Sequence, residues 1–113
     1  MLGSVAAADA SPVQVKYRVF RYTCDAGKKI NVYYVQFGQD PMFAMLDWNG
    51  QRFGLAEAIS ASGSRYAGLS GPASARGGLE WWEHHGEATL SAFTGNSTTN
   101  TKTLLTGCKT ARR

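Results

Sequence analysis

Proline, cysteine, histidine and charge are all scarce in this chain, and each scarcity excludes something. Three prolines in 113 residues, and 13 glycines with no G-X-Y period, exclude collagen-like and proline-rich extended chains. Charged residues make up 18% against 43% hydrophobic, too few charges and too much apolar content for a disordered chain. No apolar run approaches the ~18 residues of a membrane-spanning helix. The two histidines are adjacent, His84 and His85, and no Cys or His pair has the spacing of a zinc site, so no metal or cofactor is expected. The length fits a single domain.

The net charge of +4 is spread along the chain. Lys109, Arg112 and Arg113 lie at the C-terminal end. Lys16, Arg18 and Arg21 read as a solvated strand face rather than a nucleic-acid stripe. At the other end, Ala8-Asp9-Ala10 has the small-x-small pattern of a signal-peptidase site. Residues 1–11 are therefore read as the remnant of an export signal or a disordered leader, and 12–110 as one domain. No cysteine lies near the start, so no lipid anchor is expected.

What is present is period-2 patterning. Val13, Val15, Tyr17 and Val19 alternate with Gln14, Lys16 and Arg18, which predicts a half-buried strand over 13–23. Asp25-Ala26-Gly27-Lys28 and Gly38-Gln39-Asp40-Pro41 read as turns around a strand over 29–37. A strand over 42–48 meets one over 51–55 through Asn49-Gly50, a strong hairpin signal. Leu55–Ala61 has helix-forming composition but is short and uncapped, and reads as strand. Further strands are predicted over 65–69, 79–83, 86–93 and 103–108, with a mobile loop over 67–78. About eight short strands without a convincing helix point to an all-β fold, a small antiparallel barrel or sandwich. A barrel has the advantage of leaving no exposed edge.

Cys24 and Cys108 form an even pair, and with the export signal they predict a disulfide and an oxidising compartment, the periplasm. The bond would tie the end of the first strand to the last. Catalytic chemistry finds little support. Ser62 with His84 and Glu83 or Asp47 is not set in a G-x-S-x-G turn, and no catalytic residue is assigned. Asn96-Ser97-Thr98 matches the glycosylation sequon, a three-residue pattern frequent by chance. Residue pattern alone leaves a small exported β-domain that binds something.

Four blocks carry a resemblance. They are Tyr22-Thr23-Cys24-Asp25 with Gly27; Trp48-Asn49-Gly50-Gln51-Arg52-Phe53-Gly54-Leu55; Ser62-Gly63-Ser64-Arg65-Tyr66, a Ser-Gly-x-x-Tyr motif; and Trp81-Trp82 with Glu87-Ala88 and Cys108. In this order they resemble the C-type lysozyme inhibitor family, over roughly residues 20–109. The absence of a lipobox cysteine is most like the soluble periplasmic branch. The resemblance implies an eight-stranded antiparallel barrel with one disulfide. It also implies insertion of a loop into the active-site cleft of C-type lysozyme, protecting peptidoglycan. Ser62 would donate to a catalytic carboxylate, a charge-assisted bond. Gly63 would allow close approach, and Tyr66 would brace the loop.

The family's second contact, a lysine after the tryptophan, falls on His84, with the following glycine on His85 and a glycine at Gly86 instead. The expected lysozyme-binding set is Ser62, Gly63, Arg65, Tyr66, His84 and His85, with Arg65 or Arg76 as substitute cations. The target lysozymes are generally basic, as this chain is, so binding is expected to rest on local complementarity rather than long-range steering. The exposed strands are compatible with a homodimer. The competing reading is a periplasmic barrel that carries a small apolar ligand, in an open cavity lined by Tyr, Phe and Met, or that scaffolds an envelope partner.

Overall fold

A computed structural model describes residues 14–38, 42–95 and 97–110. The expected leader, the turn residues 39–41, Asn96 of the sequon, and Arg112 and Arg113 lie outside the described residues. Eight strands follow one another: β1 (Val15–Thr23), β2 (Lys29–Phe37), β3 (Met42–Trp48), β4 (Gln51–Ala58), β5 (Ser64–Gly68), β6 (Leu79–His84), β7 (Glu87–Phe93) and β8 (Thr101–Thr110). Each pairs antiparallel with the next, and β8 returns to β1, closing the barrel in chain order. Short 3-10 turns occupy Asp25–Gly27 and Ala73–Ala75.

Two links are set by residues with positive φ. Asn49 (53°) and Gly50 (76°) join β3 to β4, and both signs are those of a type I′ turn, whose twist matches the strands. His85 (54°) and Gly86 (78°) repeat this between β6 and β7. Histidine at that position is not a standard hairpin signal, which is why the sequence points to Asn49-Gly50 and not to this turn.

The alternation of β1 has the expected period but the opposite facing. Tyr22 is buried and Phe20 half-buried, so the even-numbered residues, Lys16 and Arg18 included, face the barrel interior near its mouth. Val15, Tyr17 and Val19 are on the outside and exposed. Arg21 therefore lies on the opposite face from Lys16 and Arg18. The reason is the stagger of closure. β8 pairs with β1 at Tyr22 and Thr23, so the first half of β1 rims an open mouth where inward charges stay solvated.

Two further expectations change. Leu55–Ala61 is not a separate element: β4 runs through Gln51–Ala58 and pairs with β5 at Ala56–Ala67. The 67–78 stretch is not a slack loop. β5 extends to Gly68, Ala75 is buried, and Phe93 N–H donates to Gly78 O at 3.0 Å. Gly78 has φ +111° and packs so closely on Gly68 and Leu69 that a Cβ has no room. Its glycines mark close packing rather than mobility.

The core is the inward row: Ile30, Val32, Leu46, Leu55, Leu79, Leu90 and, at its centre, Trp81, which is 0% exposed. The Trp81 ring meets Tyr22 edge-on at 5.0 Å, and its Nε1–H donates to Tyr34 Oη at 2.7 Å. Tyr34 and Tyr22 hydroxyls share a further bond at 2.8 Å. The buried indole thus has its one polar atom satisfied. Burial pushes the phenols of Tyr22 and Tyr66 up to about 12, and Tyr34 rises further for the same reason with Tyr22 beside it.

Cys24 and Cys108 are disulfide-bonded across the β1–β8 seam, as the even pair predicts. The chain closed by the bond spans a separation of 84 residues. Replacing both cysteines by alanine is expected to lower unfolding free energy by about 4–5 kcal/mol in the chain-entropy account, measured by urea denaturation against the oxidised protein.

The tyrosines predict the alkaline limit. Their raised folded pKa values mean that the native state holds these protons more tightly than the unfolded chain, so stability is complete below pH 10, the ordinary phenol value, and is lost as pH rises through about 12. Denaturant midpoints measured across this window should fall together with the appearance of phenolate absorbance. Phenolate formation by Tyr22 and Tyr66 at pH 10 in a fully folded protein would contradict it.

Candidate functional site

The β4–β5 link, residues 59–63, lies at the same end of the barrel as the His85-Gly86 turn, since both join strands at the end where β1 begins. It is fastened from several sides. Trp82 Nε1–H donates to the Ser62 carbonyl at 3.0 Å. The Ser60 hydroxyl donates to the same carbonyl, and Ser62 N–H donates to Ser60 Oγ at 3.3 Å. Arg65 donates from Nη1 to the Ile59 carbonyl at 3.2 Å and pairs through Nε with Glu80, which is buried. Gly63, at φ +72°, seats its Cα against the Glu83 carbonyl and His84 so closely that a side chain has no room.

Ser62 itself is exposed. Among the described residues its hydroxyl has no hydrogen-bond partner, so a fixed backbone presents an unused donor. His84 ends β6 and His85 begins the turn. In a regular strand they would point apart, but the left-handed backbone of His85 brings the two rings to 4.1 Å, edge to face. Ser62, Trp82, His84, His85, Glu87 and Thr89 line a common groove of about 560 Å³.

The remaining expected site residues are placed differently. Tyr66 is 3% exposed and packs on Tyr34 at 5.5 Å. It braces the base of the loop from inside, facing the barrel mouth and not the groove beside Ser62. Arg65 is tied to Glu80 and Ile59, so its charge is matched within the chain. Arg76 follows β5 and precedes β6, at the opposite end of β5 from Ser62. Trp82, 38% exposed, is the residue that sequence reasoning missed. Two adjacent tryptophans on a strand must face opposite ways, so one of Trp81 and Trp82 had to be outside.

A second cavity, of about 440 Å³, occupies the barrel mouth above the tyrosines. Among the described residues no group of three or more His, Cys, Asp or Glu could hold a metal ion.

Residues 22–99 match the family model described as membrane-bound lysozyme-inhibitor of c-type lysozyme. The membrane-bound lysozyme inhibitor of C-type lysozyme from Cupriavidus necator is 37% identical over 73 residues, covering 65% of this chain and 51% of that protein. Lipoprotein LprI of Mycobacterium tuberculosis is 35% identical over 83 residues, covering 72% of this chain and 37% of its own, and LprI of Mycobacterium bovis matches equally. The chain thus spans between about a third and a half of the length of these curated relatives. No solved structure matches it. With the four motif blocks, the closed barrel and its disulfide in place, the chain belongs to the family of membrane-bound inhibitors of C-type lysozyme.

Proposed function

We propose that this chain is a proteinaceous inhibitor of C-type lysozyme that acts in the periplasm by inserting the 59–63 loop into the enzyme's active-site cleft, with Ser62 donating to a catalytic carboxylate. One observation carries the reading: Ser62 is held by its backbone while its hydroxyl remains unspent. A loop that is already ordered loses little entropy on binding, and a hydroxyl with no internal partner gives up no hydrogen bond to make a charge-assisted one. The relatives named lipoprotein and membrane-bound inhibitor support a place in the cell envelope. We assign no catalysis to the chain.

For the second contact, the His84–His85 pair is the candidate, because it shares the groove with Ser62 while Arg65 is already paired and Arg76 is remote.

Ser62→Ala is expected to weaken inhibition of a C-type lysozyme by about tenfold or more, the loss of one hydrogen bond to a charged group, with an unchanged thermal midpoint. Full inhibition by this variant in a cell-wall lysis assay would remove Ser62 from the contact. Trp82→Phe keeps an aromatic side chain but loses the Nε1 donor, and should weaken inhibition while leaving the fold intact.

His84→Gln with His85→Asn, the latter compatible with the turn, should likewise weaken inhibition while leaving the thermal midpoint unchanged. Unchanged inhibition by this double variant in the cell-wall lysis assay would remove the histidines from the contact.

A further inference from the structure

We propose that the open mouth of the barrel is a binding site for an aromatic α-amino acid zwitterion, separate from the Ser62 contact. Alternation brings a specific set of side chains to this mouth. Lys16 and Arg18 lie opposite Gln36 and Tyr34 on the β1–β2 ladder, and Glu83 lies opposite Ser64 on the β5–β6 ladder. All of them line the 440 Å³ cavity. β1 and β6 are three strands apart one way round the closed barrel and five the other. Two cations and one carboxylate therefore stand on separate walls of one cavity. None of the three makes an ion pair with another described residue, where Arg65–Glu80 is the recorded pair.

The floor adds a donor whose existence follows from counting protons. Tyr34 Oη accepts from Trp81 Nε1–H and shares one bond with Tyr22 Oη. Two phenol protons are available and the shared bond uses one. Whichever tyrosine donates, the other keeps its O–H unspent beside the cavity. Burial keeps both phenols protonated at neutral pH, so this donor persists. Phe20, Tyr66 and Met42 supply the apolar wall.

The ligand's chemistry follows. A carboxylate suits Lys16, Arg18 and the spare hydroxyl; an ammonium suits Glu83 with Ser64; an aromatic side chain suits Phe20 and Tyr66, whose neighbouring rings favour edge-to-face contact. A purely apolar ligand would make no use of the three charges or of the spare hydroxyl.

The test uses the full chain without lysozyme, titrated with phenylalanine, 3-phenylpropionate (carboxylate alone) and phenethylamine (ammonium alone), and followed by amide and indole NMR shifts. Phenylalanine should saturate a single site that moves the Trp81 indole and the β1 and β6 amides at the mouth. Each one-charge analogue should bind about tenfold more weakly, the loss of one charge-assisted bond. In Glu83→Gln, phenylalanine and phenylpropionate should bind equally. In Lys16→Gln with Arg18→Gln, phenylalanine and phenethylamine should do so. All these side chains are at the solvated rim, so folding is retained and is checked by the unperturbed spectrum. No saturable shift at the mouth, equal binding of all three probes, or shifts confined to the Ser62 groove would overturn the proposal. Because lysozyme is absent, none of these results bears on inhibition.

Discussion

The structure depends on how little joins its ends. β1 and β8 meet at the ladder pairs Tyr22–Thr110 and Thr23–Lys109, whereas β1 and β2 pair along their whole length from Val15–Phe37 to Thr23–Lys29. A seam so short contributes few backbone bonds, and without it the sheet would have two open edges. The Cys24–Cys108 bond sits beside that seam and makes closure covalent. Gly107 serves the same end. Its φ of +65° lies where the β7–β8 register slips between Ala88–Cys108 and Leu90–Leu105, and Asp25 packs where its side chain would be. A bulge of this kind adds local twist, which lets β8 reach back to β1. The Ser62 loop joins β4 to β5, half-way round the barrel from this seam. The disulfide therefore supports the site through the barrel as a whole and not by contact.

β6 transmits that support. Its successive residues alternate between core and surface, and each reaches a different structure. Trp81 points inward and bonds Tyr34; Trp82 points outward and bonds the Ser62 carbonyl. Glu80 holds Arg65, which holds Ile59. Glu83 lines the mouth, and its carbonyl is the surface on which Gly63 rests. The position of the loop is thereby referenced to the buried indole by one strand with a fixed register, Tyr66–Trp81 and Arg65–Trp82. Loops placed by such a rigid scaffold are where binding residues are commonly found.

Period and element type were legible in the residues, because alternation is a local property. The strands and the all-β architecture follow from it, the Asn49-Gly50 hairpin from its turn chemistry, and the disulfide from the even cysteine count read with the export signal. Facing was not, because it depends on closure. Val15, Tyr17 and Val19 are the more apolar half of β1, yet the stagger of the barrel leaves them outside and turns Lys16 and Arg18 to the mouth. A cavity lined by Tyr, Phe and Met was among the readings the residues offered, but Lys16, Arg18 and Glu83 in its walls were not, because their placement depends on the same closure. For the site, the motif located Ser62 and Gly63, but the burial of Tyr66 and the pairing of Arg65 with Glu80 are tertiary facts. The turn at His85 escaped for a different reason: histidine tolerates positive φ better than most residues, but His-Gly is not among the usual hairpin dipeptides.

The charge distribution bears on the proposed contact, in which a basic chain would meet a basic lysozyme. Net charge is +4, but position matters more than the sum. Lys16, Arg18 and Arg21 belong to β1 and Lys29 to β2, with Lys28 just before it. Glu57, Glu80, Glu83 and Glu87 belong to β4, β6 and β7, the strands around the Ser62 loop. Arg65, the one arginine on β5, is neutralised by Glu80. With Glu80 spent on Arg65, Glu57, Glu83 and Glu87 remain on the strands around the loop, while Lys16 and Arg18 stand across the mouth on β1 and Arg52 lies toward the far end of β4. In the proposed contact a basic partner would meet these carboxylates at the Ser62 loop, and the more distant cations would be weakened by about 8 Å of screening length at physiological salt. Such a distribution would fix orientation as well as sign, with the Ser62 loop turned toward a cationic surface.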